Sequence, residues 1–111
     1  MPQFILLIRE DLTKYPRPAE EMNAIIEAHV GWARALSAQG IFKDGNGIKS
    51  EGRLLELING EVVVQPLRDV NEAVGGYYII EADNLENAIE VAKTCPTYTQ
   101  GDLVEVRELG A

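Results

Sequence analysis

Cysteine and histidine are almost missing from this chain: Cys95 and His29 are the only ones. A single thiol cannot close an internal disulfide, and one thiol with one imidazole cannot build a zinc cluster. Positive charge is also short. Ten Lys and Arg against eighteen Asp and Glu leave a net charge of −8. That balance repels nucleic acid and anionic lipid, and no Lys/Arg stripe offsets it. No apolar run approaches the ~18 residues of a membrane span. The opening Phe4-Ile5-Leu6-Leu7-Ile8 is too short for a secretion signal and lacks its basic flank. The acidic loop residues Asp44, Asp69 and Glu72 lack the spacing of a calcium loop. Gly45-Asn46-Gly47 lacks the Lys-Ser/Thr step of a phosphate loop. No metal and no cofactor is expected, no nucleic-acid or membrane partner, and a reducing cytoplasm is the expected compartment.

What remains is an ordinary globular mixture, 46% hydrophobic and 25% charged over 111 residues. Without repeats, low-complexity tracts or linkers it reads as one domain, 1–111, that buries roughly two thirds of its unfolded surface. The first strand is expected over 3–9. Its apolar residues are continuous, so Phe4, Leu6 and Ile8 face one side and Ile5 and Leu7 the other. After the Tyr15-Pro16-Arg17-Pro18 breaker, Met22, Ile25, Ile26, His29, Ala33 and Leu36 recur at helical spacing over 19–39. Gly40 suits the position after the helix end. Ile41-Phe42-Lys43 reads as a short strand, and Asp44-Gly45-Asn46-Gly47 as a turn. Residues 53–58 and 61–64 form a hairpin around Asn59-Gly60, a type I′ signal. A helical turn is expected at 70–74, then a strand at 77–80. Asp83 with Glu86 resembles a capping box opening a second helix, which ends near Cys95-Pro96. The last strand covers 103–107.

Two helices with at least four substantial strands read as α+β of the ferredoxin-like kind, an antiparallel sheet with both helices on one face. The strands at 4–8, 54–58 and 77–80 are apolar on both faces. The chain has no spare element to cover the second face, so a second copy, a homodimer, is the economical cover.

Over nearly its whole length the chain resembles the YCII-related family. The residues that carry this are Phe4-Ile5-Leu6-Leu7-Ile8, His29 eleven residues before Gly40, Gly75-Gly76-Tyr77-Tyr78-Ile79-Ile80-Glu81-Ala82, Leu85-Glu86-Asn87-Ala88-Ile89-Glu90, Cys95-Pro96 and Val104-Glu105-Val106-Arg107. The branch named for an Asp-Gly-Pro-Phe motif is the most similar, although those positions hold Val64-Gln65-Pro66-Leu67 here, followed by Asp69 and Glu72. The resemblance implies a dimeric α/β-barrel of two ferredoxin-like sheets packed face to face. It also implies that the helix histidine, here His29, is the active-site candidate. Some distant relatives pair that histidine with an aspartate where Cys95 stands in this chain.

His29 is the one side chain that normally titrates near neutrality, and it sits in the middle of an apolar stripe. It reads as a general acid–base lining a pocket, or as a hydrogen-bonded core histidine. The further candidates for ligand contact are Arg9, Trp32, Tyr77 and Arg107. Trp32 and Tyr77 also fit simple packing. Arg9 and Arg107 also fit ion pairs with Glu105, Glu108 or Asp11, which is the favoured reading. Cys95 ends a helix, where the local potential disfavours a thiolate, and reads as a buried inert thiol. The expected function is a small cofactor-independent enzyme moving a proton on a small metabolite, as in a lyase, isomerase or dehydrohalogenase step. A non-catalytic ligand-binding or accessory dimer, or a structural partner, fits the residues as well.

Overall fold

The apolar run that opens the sequence becomes strand β1 (Gln3–Glu10), one of the two inner strands of an antiparallel sheet. The computed structural model describes residues 1–68 and 73–110, and at residues 99 and 100 the backbone alone. Among these residues the order is β1, α1 (Ala19–Ala38), β2 (Phe42–Gly47), β3 (Arg53–Ile58), β4 (Glu61–Pro66), β5 (Ala73–Glu81), α2 (Leu85–Ala92) and β6 (Leu103–Glu108), with single 3₁₀ turns at Leu12–Lys14 and Pro96–Gln100. The sheet runs β2-β5-β1-β6, and β3-β4 form a separate two-stranded ribbon. The four-stranded sheet and its two helices make a broadly ferredoxin-like βαββαβ unit, with the ribbon inserted between β2 and β5. No helix among the described residues is long and apolar enough to cross a membrane.

Register assigns the two faces. Phe4 lies opposite Ile80, Leu6 opposite Tyr78 and Val106, and Ile8 opposite Gly76 and Val104. This face meets the helices. Phe4, Leu6 and Ile80 are fully buried there with Leu36 of α1 and Ala88 and Ala92 of α2. Each such large side chain contributes roughly 1.5–3 kcal/mol by leaving water. The other face carries Ile5, Leu7, Tyr77 and Ile79, all partly exposed. At 18 Å through their thinnest direction, the described residues hold one helix layer and one sheet layer and no third.

α1 opens with Glu20 and Glu21 in its first turn, where carboxylates complement the helix dipole. It closes as the glycine predicts. Gly40 takes φ +72°, its N–H donates to Ser37 O at 3.0 Å, and Ile41 N–H donates to Leu36 O at 2.9 Å. That is the paired closure of a Schellman motif. The Asn59-Gly60 turn is also as expected, with φ of 51° and 81°.

Several local expectations need correction. Asp44-Gly45-Asn46-Gly47 is no turn but the body of edge strand β2, paired with β5. The cap of α2 is Asn84, not Asp83: its side chain accepts from Asn87 N–H at 2.9 Å. Leu85 and Ile89 are largely exposed, so α2 buries chiefly its alanines. The residues at 53–58, read as part of the sheet, stand apart from it in the ribbon. The helical turn expected at 70–74 falls mostly outside the described residues, and Ala73 and Val74 already belong to β5.

Candidate functional site

Four glycines shape the site. Gly45 and Gly47 of β2 and Gly75 and Gly76 of β5 line the floor of a cavity of about 920 Å³ whose roof is residues 22–33 of α1. A side chain at Gly45 would meet Tyr78 and Phe42, and one at Gly75 would meet the Glu10 carboxylate. Gly76 packs within 3.1 Å of the Asn46 carbonyl oxygen, measured from where a Cβ would stand. Gly75 is the extra residue where β1 and β5 slip register between Ile8 and Arg9. The lining is mostly apolar, with Ile8, Met22 and Ile25 among its walls.

His29 projects from α1 into this cavity wall, half-buried. Its Nδ1 lies 2.6 Å from the Tyr78 hydroxyl of β5. The two rings are nearly parallel, 12° apart, with centroids 5.9 Å from each other. Tyr78 is in turn fixed by the edge-on ring of Trp32 at 4.9 Å and by Phe42 at 6.3 Å. Trp32 donates its indole N–H to Thr94 Oγ1 at 2.9 Å, tying α1 to the end of α2. His29 therefore hangs on a rigid aromatic support, with no partner for Nε2 among the described residues. Burial lowers the imidazole pKa below 6.5, against a smaller opposing pull from the Asp102 carboxylate. Burial first, then the neighbouring Cys95, pushes the Tyr78 phenol far above its usual value. Both shifts favour the uncharged forms, and one hydrogen bond joins the Tyr78 oxygen to Nδ1, its donor set by the imidazole tautomer.

A second polar cluster occupies the same cavity wall at the end of β1. Glu10 and Tyr15 both line the cavity. The Tyr15 hydroxyl favours the charged form of the Glu10 carboxylate, which lies where a side chain on Gly75 would stand. Burial raises the Glu10 pKa, reinforced by Asp102 and opposed by Tyr15 and Arg17. Asp102 is itself buried, with one carboxylate oxygen lacking a hydrogen-bond partner among the described residues, and its pKa is raised by desolvation as well. Sequence reasoning missed Glu10, Tyr15 and Asp102. A signal did exist for Tyr78, since one of the two adjacent tyrosines had to face the helices.

The remaining sequence candidates are dispersed. Trp32 supports Tyr78 from the side and does not line the cavity. The Tyr77 side chain takes the other face of β5, and its hydroxyl donates to Asp44 Oδ2 at 3.1 Å. Arg9 and Arg107 lie on that outer face too, each 3.1 Å from the Glu105 carboxylate between them. The structure does not bring these three to His29, because odd and even strand positions point to opposite faces. Cys95 is buried and shares a 3.0 Å contact with Thr97 Oγ1, and burial raises its pKa, as befits an inert thiol. Among the described residues no group of three His, Cys, Asp or Glu side chains is arranged to hold a metal.

The profile of the YCII-related domain matches residues 4–110. The chain belongs to the YCII-related family. No curated protein matches it. Among solved structures, it is similar to 5-chloro-2-hydroxyhydroquinone dehydrochlorinase (TftG) from Burkholderia phenoliruptrix AC1100, solved with 2,5-dihydroxybenzoquinone. The TM-score is 0.56 at 17% identity, covering 97% of this chain and 93% of that one. At this identity the likeness to TftG establishes the shared α+β fold, an antiparallel sheet with two helices.

Proposed function

We propose that this YCII-related protein is a small-molecule enzyme in which His29 moves a proton to or from a ligand held between α1 and the glycine floor. The observation that carries the reading is the 2.6 Å His29–Tyr78 bond at the wall of a largely apolar cavity of about 920 Å³. Such a volume suits a ligand of small-molecule size. Nδ1–H donates to the Tyr78 oxygen, which leaves the Nε2 lone pair as the base. A pKa depressed by burial keeps that base free at neutral pH. The Tyr78 phenol keeps its proton and orients the ring. Glu10, at the same cavity with a raised pKa, is a second group able to hold a proton. The ligand best matched is a small hydroxylated ring compound: apolar faces for the walls, hydroxyls for Glu10, Tyr15 and His29. Dehydrochlorination of a hydroxylated ring, the activity named for TftG, belongs to this class of proton removal.

The fold also supports a homodimer in the barrel arrangement, outer sheet face against outer sheet face. That face has an apolar centre, Ile5, Leu7, Tyr77 and Ile79. Ion pairs flank it, Arg9–Glu105–Arg107 to one side and Lys43–Glu81 to the other. An apolar core with a polar rim is the anatomy of a protein interface.

The test is turnover. A panel of hydroxylated aromatics and quinones, including 5-chloro-2-hydroxyhydroquinone, is incubated with the wild type and with His29→Gln, and proton or chloride release is followed. The wild type is expected to turn over at least one member, and His29→Gln to bind it with a rate lower by roughly 10²–10⁴-fold. Binding without turnover in the wild type would assign the cavity to a ligand-binding module instead.

A further inference from the structure

The β3–β4 ribbon has one face that its own chain leaves bare. Register sets Leu55 opposite Val64 and Leu57 opposite Val62, so all four point the same way. They are 61%, 63%, 70% and 64% exposed in that order. The opposite face mixes Leu54, Val63 and Ile58 with Glu56, Gln65 and Glu61 and is more covered: Arg68 donates to Glu56 at 2.9 Å and to Gln65 at 2.8 Å. Scattered surface aliphatics need no explanation, but a contiguous patch on a free ribbon does. A two-stranded ribbon is marginal in water by itself and needs a layer to pack on.

We propose that this ribbon is an arm that reaches past the sheet-to-sheet contact onto the rim of the outer sheet face of a second copy of this chain, with Leu55, Leu57, Val62 and Val64 set beside the strand that carries Ile5 and Leu7. Three features select that occupant. A stable interface takes roughly 800 Å² from each partner, more than four ribbon side chains offer, so the occupant must meet the body of the molecule as well as the arm. A symmetric copy does this twice, because each chain gives one arm and receives one. The reach also fits: strands of six residues extend about 20 Å, and four strands at ~4.8 Å spacing span about 15–20 Å. Finally, the surface offered is of matching kind, a second bare apolar strand layer on a molecule only 18 Å thick, and two strand layers pack face to face at about 10 Å.

The inference rests on the sheet-to-sheet pairing proposed above, and the experiment separates the two. Light scattering across a concentration series is run on the wild type, on Leu57→Lys/Val62→Lys in the arm, and on Leu7→Lys in the sheet. The wild type is expected at twice the chain mass, and each variant to dissociate at least ~100-fold more readily. The arm side chains are exposed in the single chain, so far-ultraviolet circular dichroism should stay native. Leu55→Ser/Val64→Ser serves as the milder arm variant should the lysines disturb the ribbon. In a second arm, chains carrying Val64→Cys and Leu7→Cys are co-expressed and treated with a short bis-maleimide; Cys95, only 4% exposed, stays unreactive. A Val64–Leu7 cross-link between chains is expected. A dimer lost in Leu7→Lys but intact in both arm variants would overturn the arm and leave the sheet pairing. A Val64–Val64 cross-link in place of Val64–Leu7 would overturn the arm's placement. A monomeric wild type would overturn both.

Discussion

Tyr78 and His29 meet at 2.6 Å across the cavity, one from an inner strand and one from the middle of the long helix. The bond joins sheet to helix. It also sets which imidazole nitrogen is left to the ligand. Tyr78→Phe keeps the ring against Trp32 and Phe42 and removes only the hydroxyl. Half-buried Nδ1 then loses its partner, and the expected cost is about 1–3 kcal/mol. Urea unfolding at pH 7 measures it; a change near zero would mean that the bond does not persist in solution.

Two glycines make a contrasting pair. A Cβ at Gly45 would meet Tyr78 Cδ1 at 3.0 Å and the Tyr77 carbonyl oxygen at 3.1 Å. The backbone oxygen cannot move aside, so Gly45→Ala should cost roughly 1–3 kcal/mol and displace the Tyr78 ring. Gly31, mid-helix and with nothing within 4 Å, should respond in the opposite sense. Gly31→Ala is expected to add roughly 0.5–1 kcal/mol. Thermal unfolding of both variants checks the pair, and equal signs would contradict the geometry.

The two titrating groups of the cavity pull stability in opposite directions with pH. His29 has its pKa lowered below 6.5 by burial. As pH falls through 6.5 the unfolded chain binds a proton that the folded chain resists, so stability is lost from there down through the folded value. Glu10 has its pKa raised from 4.5 by burial. Its folded form holds the proton longer, so stability is highest at low pH and declines as pH rises from about 4.5 through the folded value. His29→Gln should therefore remove an acid-side loss, and Glu10→Gln a loss on the other side. Melting temperatures of the three proteins between pH 4 and 8 read both. Curves that stay parallel to the wild type would show that neither group is perturbed.

Local rules made much of the frame legible. Continuous apolar residues mark β1, a stripe ending at Gly40 marks α1, and Asn59-Gly60 marks the ribbon turn. β2 was not legible because Gly45 and Gly47 look like turn residues until Tyr78 and the cavity need the space they leave. His29 stood out as the single titratable residue in an apolar stripe. Its partner did not, because the strand containing Tyr77 and Tyr78 is apolar on both faces, and only the register with Leu6 decides which ring points inward. Glu10 and Asp102 are 92 residues apart in sequence. The pairing of Arg9 with Leu103 brings them together, a relation that periodicity cannot express.

The chain's single histidine makes its proton-moving role directly measurable. Long-range ¹H–¹⁵N spectra of the untagged protein between pH 5 and 8 report the pKa and tautomer of His29 without assignment ambiguity. With 2,5-dihydroxybenzoquinone added as probe, they also report whether the ring senses a ligand. A pKa below 6.5 is expected, with a neutral ring carrying its proton on Nδ1 at pH 7 and ¹⁵N shifts of both ring nitrogens that move on titration with the probe. A ring that titrates at 6.5 or above and ignores the probe would contradict that role.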